Sequence, residues 1–249
     1  MIIKKIKLSI KALKEMKNPW IYFLDYLGLK KGELVYKIKN KKIKVRAKTI
    51  DKSIFTEVAL EEKYFPKKLK LGKNSVILDL GAHIGIFSVL ANLKFPYAKI
   101  YSIEPAKDNF RLLSEQTKIN QTNIHPFNVA ISNKKGKMKL YSGRHSARQS
   151  LLRKEGDNFD VVETLSLKDF FKEQKIEKCD LLKIDIEGGE YDLFYSTPKE
   201  IFKKIKIIFL ETHEIEGENP GELIEFLKKQ GFEIFFKEKD FVYAFNKSK

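Results

Sequence analysis

Cysteine is nearly absent from this sequence, which has Cys179 as the single cysteine among 249 residues. One cysteine excludes an internal disulfide and a zinc site made of several cysteines. Its place just before an apolar run predicts a buried, packed thiol. Apolar runs of membrane-spanning length are missing as well, and no signal peptide is recognisable, so we expect a cytoplasmic protein.

Arginine is scarce too, with five residues against 44 lysines, although the chain carries a net charge of +16. Residues 1–74 hold 21 basic and seven acidic residues, a net of +14, so residues 75–249 contribute only +2. This asymmetry indicates an anionic partner: a membrane surface, an acidic glycan or nucleic acid. Nucleic acid is the less expected of these, because arginine is the better phosphate ligand. A lysine-rich genome or growth at high temperature explains the excess equally well.

The hydrophobic content of 43% and the aromatic content of 12% are typical of a globular protein. From residue 75 onward, strand-like and helix-like segments alternate, which predicts a doubly wound, mostly parallel α/β sheet. We expect residues 51–249 to form this domain and residues 1–50 to form a small basic cap of helices and a hairpin. The predicted strands are 76–80, 99–103, 123–130, 180–186 and 205–212; the predicted helices are 84–93, 107–119, 167–174, 189–195 and 220–230.

The cap begins with an amphipathic, lysine-rich segment over residues 2–16. Its apolar side chains recur at helical spacing. Such a helix could lie on a membrane surface, which would make the protein peripheral there. The more common arrangement packs the apolar stripe against the domain, and this is what we expect. The stripe consists of Ile3, Ile6, Ile10 and Leu13.

The first strand of the domain ends in a turn punctuated by two glycines, Gly81 and Gly85. Such a turn opens a helix and lets the backbone approach a ligand. Glu104 follows the next strand, where nucleotide-binding folds place an acid for ribose hydroxyls. A dinucleotide fold needs a glycine in place of His83, so NAD fits poorly. Asp79 at the strand tip suits a cofactor with an ammonium group, as in S-adenosylmethionine, and His83 is expected to form a wall of that site.

Two later strands also end in polar residues that could do chemistry. Lys183, Asp185 and Glu187 alternate along an extended strand and would project to one face. Three charges on a buried strand are tolerable only where the strand runs out into a cleft. The next strand ends in Glu211 and His213. We therefore expect four catalytic candidates to share one pocket: Asp185, Glu187, Glu211 and His213. The competing interpretation is a structural ion-pair network.

Methyl transfer to a hydroxyl requires alignment of the reacting atoms and removal of a proton. His213 is the one histidine on a predicted strand tip and could titrate near neutral pH. His125 and His145 have no supporting pattern. The loop over residues 142–158 is expected to build part of the acceptor pocket, because a loop of this size over a cofactor fold is typically functional. The clustered side chains could hold magnesium, but proximity alone is poor evidence, so the sequence assigns no metal ligand and leaves metal dependence open.

Four segments, 79–85, 103–105, 128–130 and 182–190, resemble the FkbM-type methyltransferase family. The run Lys-Ile-Asp-Ile-Glu-Gly is the most specific part of the resemblance. It implies a seven-stranded class I fold with an antiparallel last strand and S-adenosylmethionine as cofactor. It also implies that Asn128 to Ala130 line the adenine, that Asp185 lies near the methionine end, and that Ser150 and Leu151 touch the cofactor.

Three functional hypotheses follow from the sequence. The first is an S-adenosylmethionine-dependent O-methyltransferase that acts on a hydroxyl of a sugar, a glycan or a small molecule. The second is an RNA methyltransferase whose lysine-rich N-terminal region follows the phosphates. The third is a non-catalytic membrane-surface protein that keeps a methyltransferase-like fold. Retention of the whole polar constellation disfavours the third, because unused sites lose costly buried charges.

Overall fold

The computed structural model describes residues 2–66, 68–142, 149–150, 158–238 and 240–249. Two helices and a hairpin come first: α1 (Ile2–Glu15), α2 (Pro19–Tyr26), β1 (Glu33–Ile38) and β2 (Lys41–Arg46). Helix α3 (Asp51–Phe55) then continues into a π-helical turn, Thr56–Leu60.

The rest of the chain alternates between strands and helices, as the sequence pattern predicts. The strands are β3 (Val76–Leu80), β4 (Lys99–Ile103), β5 (Ile124–Phe127), β6 (Ala130–Ser132), β7 (Gly136–Ser142), β8 (Gln149–Ser150), β9 (Phe159–Ser166), β10 (Leu181–Ile184), β11 (Ile207–Glu211), β12 (Phe232–Glu238) and β13 (Phe241–Asn246). The helices are α4 (Ile86–Lys94), α5 (Lys107–Asn120), α6 (Leu167–Glu173), α7 (Glu190–Ser196), α8 (Lys199–Phe202) and α9 (Pro220–Lys229).

A seven-stranded sheet organises the fold, in the order β12-β13-β11-β10-β3-β4-β5. Strands β11, β10, β3, β4 and β5 are mutually parallel, whereas β13 runs antiparallel to both of its neighbours. The chain therefore reverses its direction of winding between β3 and β10. Ligands of such sheets bind at this switch point, beyond the carboxyl ends of the strands. The predicted mixed α/β sheet and its antiparallel last strand are confirmed.

Both faces of the sheet are covered, so its strands are nearly continuous apolar runs. Alternate residues of β3 face opposite sides: Ile77 belongs to the core beneath the cap and α4, and Leu78 to the core beneath α6, α7 and α9. The first of these cores also contains Tyr36 and Ile43 of the hairpin. The cap and the sheet thus share one hydrophobic interior.

The stretch after β5 forms a second, four-stranded sheet in the order β6-β9-β7-β8. The sequence pattern predicts one strand over 123–130, but the structure has two, because the chain turns between Phe127 and Ala130. Asn128 holds this turn: its amide nitrogen donates to the carbonyl oxygens of Glu104 and Pro105 at 2.9 Å each. Strand β6 then pairs with β9 instead of extending the main sheet.

Helix α1 has the predicted extent but the opposite orientation. Ala12 of the helix and Met16, the residue just after it, are buried in the core shared with the sheet. The predicted stripe, Ile3, Ile6, Ile10 and Leu13, is 47–70% exposed. The expectation that this stripe packs against the domain is therefore wrong. A small alanine lets the helix axis approach its neighbours more closely than a row of isoleucines would.

Candidate active site

A cavity of about 470 Å³ opens at the switch point, beyond the ends of β3, β4, β10 and β11. This volume lies within the range of pockets for small molecules and cofactors. Helix α3 and its π-helical turn close one side with Ile54, Glu57 and Val58. The second sheet closes another side with Ala130, Ile131 and Leu140. The predicted site residues that line the cavity are Gly81, His83, Glu104, Ala130, Asp185, Glu187, Glu211 and His213.

Asp79 does not line this cavity. Its side chain is fully buried at the end of β3, where one oxygen accepts a hydrogen bond from Ser88 at 2.6 Å. The other oxygen lies 3.2 Å from the ammonium group of Lys183. Burial works against the charge of Lys183, but the carboxylates of Asp79 and Asp185 outweigh it and raise the pKa of the lysine. Asp79 is therefore paired with the ammonium group of Lys183 and not with a ligand in the cavity.

The two glycines of the first turn are required by packing inside the protein. Gly81 has φ +72°, and a Cβ there would lie 1.8 Å from the carbonyl oxygen of Asp185. Gly85 has φ +86°, and a Cβ there would meet the side chain of Leu113 at 2.6 Å. The turn after β3 therefore touches the turn after β10 directly, and Gly85 lies against α5 instead of lining the cavity.

Glu104 lines the cavity at the end of β4 with its carboxylate held by backbone and side-chain amides. One oxygen accepts from the backbone nitrogen of His83 at 2.9 Å, and the other from that of Ala106 at 3.0 Å. Asn109 approaches the second oxygen at 3.5 Å. Burial raises the pKa of Glu104 to about 7, although these hydrogen bonds oppose the shift. The remaining lone pairs can accept ligand hydroxyls.

His83 forms part of the cavity wall and ends a polar chain that begins in the hairpin. The guanidinium of Arg46 binds both oxygens of Asp51 at 2.9 Å and lies 3.2 Å from Nε2 of His83. The same guanidinium donates to Asn109 of α5 at 2.9 Å. Burial, with the charge of Arg46, lowers the pKa of His83 to about 4. A neutral His83 is therefore expected, tied to the cap by Arg46.

Glu211 faces the cavity at the end of β11 and is bound by two residues of the segment after the π-helical turn. The ammonium group of Lys63 and the hydroxyl of Tyr64 donate to the same carboxylate oxygen, at 2.9 and 2.8 Å. Lys63 is fixed in turn, because its carbonyl oxygen accepts a hydrogen bond from the hydroxyl of Tyr243. Glu211 thus anchors the N-terminal segment over the site.

The most polar corner of the cavity surrounds His213. Nδ1 of the imidazole lies 3.1 Å from Oε1 of Glu190, and the backbone nitrogen of His213 donates to the same oxygen at 2.7 Å. Nε2 is turned toward two carboxylates, 3.8 Å from Asp185 and 3.6 Å from Glu187. Glu190 is fully buried on the first turn of α7, and it also accepts from the backbone nitrogen of Gly188.

The strand that carries these carboxylates ends earlier than the sequence pattern predicts. Strand β10 stops at Ile184, and Glu187 adopts a left-handed backbone conformation with φ +52°. The two glycines that follow, Gly188 and Gly189, lead into α7. Asp185 and Glu187 therefore reach one pocket through a turn after the strand, and not through alternation along it.

Opposing effects act on the charge of His213. Burial lowers the pKa of the imidazole, but the hydrogen bond with Glu190 and the charges of Asp185, Glu190 and Glu187 raise it to about 9. At neutral pH, His213 is therefore an imidazolium beside three carboxylates of the protein. Asp185, Glu187 and His213 also offer ligand atoms within 4.8 Å of one another, close enough to hold a metal ion.

The structure shows which contributors the sequence analysis missed. Four residues of the site were not predicted, because a single polar residue on a helix or in the N-terminal segment has no recurring spacing that marks it. They are Glu190, Lys63, Tyr64 and Arg46. Glu190 itself was a usable signal, because an acid is favoured in the first turn of a helix, where the helix dipole is positive. Predictions for His145 and Leu151 and for most of the 142–158 loop lie outside the described residues, as does the side chain of Ser150.

Sheet order, cavity position and polar strand ends define a class I methyltransferase fold. The model of the methyltransferase FkbM domain matches residues 79–234, more than half of the chain. The protein belongs to the FkbM methyltransferase family. It is therefore a methyltransferase, and S-adenosylmethionine is the cofactor that this family uses.

Individual relatives agree with this membership. Methyltransferase sdnD of Sordaria araneosa is 28% identical over 224 residues, which cover 77% of this chain and 84% of that protein. The 31-O-demethyl-FK506 methyltransferase FkbM of Streptomyces tacrolimicus is 26% identical over 212 residues, covering 73% and 81%. The crystal structure of methyltransferase FkbM from Methylobacillus flagellatus KT superposes with a TM-score of 0.53 at 16% identity, over 73% of this chain and 46% of that one.

The cavity fits this cofactor chemically. Glu104 ends β4, and the acidic corner at His213 follows β11; β3 and β10 lie between them. At about 4.8 Å per strand, the two ends are about 14 Å apart, which suits an extended nucleoside with an amino-acid tail. At one end, the carboxylate of Glu104 can thus accept hydrogen bonds from the hydroxyl groups of a ligand, and apolar side chains such as Ile131 and Leu140 line the cavity. Carboxylates at the other end suit a cation.

Proposed function

We propose that the protein is an S-adenosylmethionine-dependent O-methyltransferase whose acceptor is a hydroxyl group of a sugar, a glycan or a small molecule. The observation that supports this most strongly is the pairing of Glu190 with Nδ1 of His213 at 3.1 Å. A buried carboxylate on one imidazole nitrogen fixes the tautomer and leaves the other nitrogen to accept a proton. Hydroxyl methylation needs such a base, because a neutral alcohol is a weak nucleophile.

The cofactor-binding residues are assigned on position. Glu104 binds the ribose hydroxyls, and Ala130 lies against the adenine beside Ile131. Asp185 faces the charged methionine end. The turn with Gly81 and His83 forms the floor between them. Asp79, Gly85 and Asn128 act from behind this surface, by holding Lys183, α5 and the backbone after β4 in place.

The reaction requires little beyond these groups. When bound, S-adenosylmethionine would supply the electrophilic methyl group, and the sulfonium would become the neutral thioether of S-adenosylhomocysteine, the leaving group. Nε2 of His213 accepts the proton of the acceptor hydroxyl while the new oxygen–carbon bond forms. Glu190 stabilises the resulting imidazolium through Nδ1, and Glu187 and Asp185 add negative charge beside it. Glu211 positions the wall that carries Lys63 and Tyr64 against the acceptor.

A relative's name supports the type of acceptor atom. The Streptomyces tacrolimicus protein is named for 31-O-demethyl-FK506, a substrate that lacks a methyl group on oxygen. Hydroxyl methylation is the corresponding reaction for this chain. The choice among sugars, glycans and other small molecules depends on the acceptor side of the cavity, which α3 and the second sheet build.

The test combines a cofactor arm and a chemistry arm. Calorimetric titration with S-adenosylhomocysteine should give micromolar binding for the unmodified protein and for His213→Ala. Incubation with isotope-labelled S-adenosylmethionine and a panel of glycans and hydroxylated small molecules should give an O-methyl product. His213→Ala should lower that rate by about 10²- to 10⁴-fold, the usual effect of one general base.

His125→Ala is the matched control, because His125 lies on β5 and does not line the cavity. It should retain full activity. A methyl group found on nitrogen or carbon would reject O-methylation. Undiminished turnover by His213→Ala would reject the assigned base, and absence of S-adenosylhomocysteine binding would reject the catalytic site as a whole.

A further inference from the structure

Helix α1 carries an apolar stripe that nothing in the described protein covers. The stripe consists of Ile3 (70% exposed), Ile6 (53%), Ile10 (47%) and Leu13 (52%). Single exposed apolar side chains are common, but four on one helical face form a continuous strip. Trp20, at the start of α2 and just beyond α1, is 70% exposed as well.

The exposure of this stripe follows from how α1 is attached. The helix is held by its other face, through the buried side chain of Ala12, and at its end by Met16, which is buried just after the last helical residue. Met16 also pairs with Ile38 as an isolated antiparallel bridge, and the backbone nitrogen of Lys17 donates to the carbonyl oxygen of Lys37 at 2.8 Å. The stripe is therefore presented outward by a docked helix.

Ion pairs fix the same orientation. Lys4 lies 2.9 Å from Glu61, and Lys11 lies 2.9 Å from Glu62, both just after the π-helical turn. These two lysines point toward the domain. Rotating α1 to bury its stripe would break both pairs and expose its inner face, so the outward position of the stripe is the one that the contacts favour.

The remaining lysines border the stripe. At 100° per residue, Lys7 and Lys14 lie within roughly 40° of Ile3 on the helical circumference. Both side chains are exposed, and among the residues that the structure describes neither has an ion-pair partner. Residues 2–17 hold six lysines and one glutamate, a net of +5. Apolar residues flanked by unpaired cations are the signature of a helix that lies in a lipid interface.

We propose that the exposed stripe of α1, with its bordering lysines, docks the protein on the surface of an anionic lipid bilayer. The apolar side chains enter the acyl boundary, and the ammonium groups contact the negatively charged headgroups. The positive charge of the N-terminal region favours an anionic bilayer over a second copy of the chain. A second copy of the chain would bring its own N-terminal region, which carries +14 over residues 1–74, against the first.

Docking would place the bilayer beside the wall of the cavity. Helix α1 packs on the π-helical turn, and the same turn contributes Glu57 and Val58 to the cavity lining. An acceptor hydroxyl carried by a lipid or a lipid-linked sugar would then be available at that wall. This consequence rests on the proposed function, whereas docking itself does not.

The experiment is flotation of the full-length protein with vesicles of phosphatidylcholine, with and without phosphatidylglycerol. We expect binding to the anionic vesicles, weakening as salt is raised. The double variant Ile6→Glu/Ile10→Glu should bind at least tenfold more weakly, since it removes two apolar side chains from the acyl boundary and brings two negative charges to the anionic headgroups. Lys7→Gln/Lys14→Gln should reduce binding to anionic vesicles specifically.

Val161→Glu is the control for an added negative charge, because Val161 is 57% exposed on β9 and its replacement places one glutamate, half of the charge change of the double variant, at an apolar surface position away from α1. It should bind vesicles as the unmodified protein does. No binding by the unmodified protein, or an equal loss in Val161→Glu, would overturn the proposal. Binding to RNA that depends on Lys7 and Lys14 but not on Ile6 and Ile10, with no vesicle binding, would replace it by a nucleic-acid surface.

Titration with S-adenosylhomocysteine separates this proposal from the proposed function. Every α1 variant should bind the cofactor product as the unmodified protein does, because α1 does not line the cavity. Vesicle binding without S-adenosylhomocysteine binding would reject the catalytic site and leave docking in place. The reverse result would reject docking alone.

Discussion

Lys183 and Asp79 form a buried ion pair, with Nζ 3.2 Å from a carboxylate oxygen and both side chains at most 5% exposed. They are register partners on the adjacent parallel strands β10 and β3. The pair therefore joins the two motifs that stand about a hundred residues apart in the sequence. It also means that the acid expected to meet the cofactor's ammonium group meets a lysine of the protein first.

Breaking this pair should destabilise the protein strongly. We expect Lys183→Met to lower the free energy of unfolding by about 3–5 kcal/mol, because it leaves the Asp79 carboxylate buried without a counter-charge. Lys178→Met is the control: the lysine is 63% exposed and 3.5 Å from Asp180, and pairs with an exposed lysine contribute about 0–1 kcal/mol. Denaturant unfolding measures both. A loss below about 1 kcal/mol for Lys183→Met would contradict the role of the pair.

The activity should rise toward alkaline pH. His213 must be neutral to accept a proton, and the neighbouring carboxylates raise its pKa to about 9. The value of kcat/KM for S-adenosylmethionine reports the cofactor-free enzyme, so we expect it to increase about tenfold per pH unit between about pH 7 and this pKa and to level off above it. A profile that is flat from neutral pH to about 10 would show that His213 is not the base.

Removing the charge of Glu190 should move this profile. Glu190→Gln keeps the shape of the side chain but removes the negative charge that favours the imidazolium, so the pKa of His213 falls toward its ordinary value of about 6.5. The rising limb of the kcat/KM profile should shift to lower pH. The value of kcat on the plateau should drop, because the imidazolium formed during the reaction loses its stabilisation. Glu216→Gln, at an exposed position, should change neither quantity. An unshifted limb in Glu190→Gln would contradict the proposed pairing.

Cofactor binding should depend on the ionisation of Glu104. Burial raises the pKa of this carboxyl to about 7, and the ionised form is the better acceptor for ribose hydroxyls. S-adenosylhomocysteine should therefore bind up to about tenfold more weakly at pH 6 than at pH 8, as linkage to one proton requires. Glu104→Gln should bind weakly at both pH values. Calorimetry would refute the assignment if the variant bound as tightly as the unmodified protein.

Chelation should leave the reaction intact. In the proposed mechanism Nε2 of His213 accepts a proton, and an imidazolium there supplies the positive charge between Asp185 and Glu187. We therefore expect unchanged turnover after treatment with EDTA and gel filtration. Activity that is lost on chelation and restored by Mg²⁺ or Mn²⁺ would instead make Asp185, Glu187 and His213 a metal site.

Strand ends were the predictable part of this protein. Local pattern located β3, β4 and the helices after them, because a buried parallel strand and an amphipathic helix each leave a periodic signal. It also brought Asp185, Glu187, Glu211 and His213 to one cavity, since parallel strands end at the same edge. The roles of these side chains stay predictions until the variants above are measured.

Other features depend on contacts between distant residues, which no local pattern records. The hydrogen bonds of Lys63 and Tyr64 to Glu211 join residues about 150 positions apart in the chain. The orientation of α1 depended on which of its two apolar faces fits the hairpin more closely, and periodicity alone treats both faces alike. The division of the chain at residue 50 likewise stays a prediction, although one core runs through both parts.

The lone thiol offers an experimental advantage. Cys179 is 1% exposed next to β10, and burial raises its pKa, so it is a poor nucleophile for maleimides and oxidants. Thiol reagents should therefore label the native chain very little. A Leu13→Cys variant would carry its dye on α1 alone, and a polarity-sensitive fluorophore at that position would report contact with lipid as it happens.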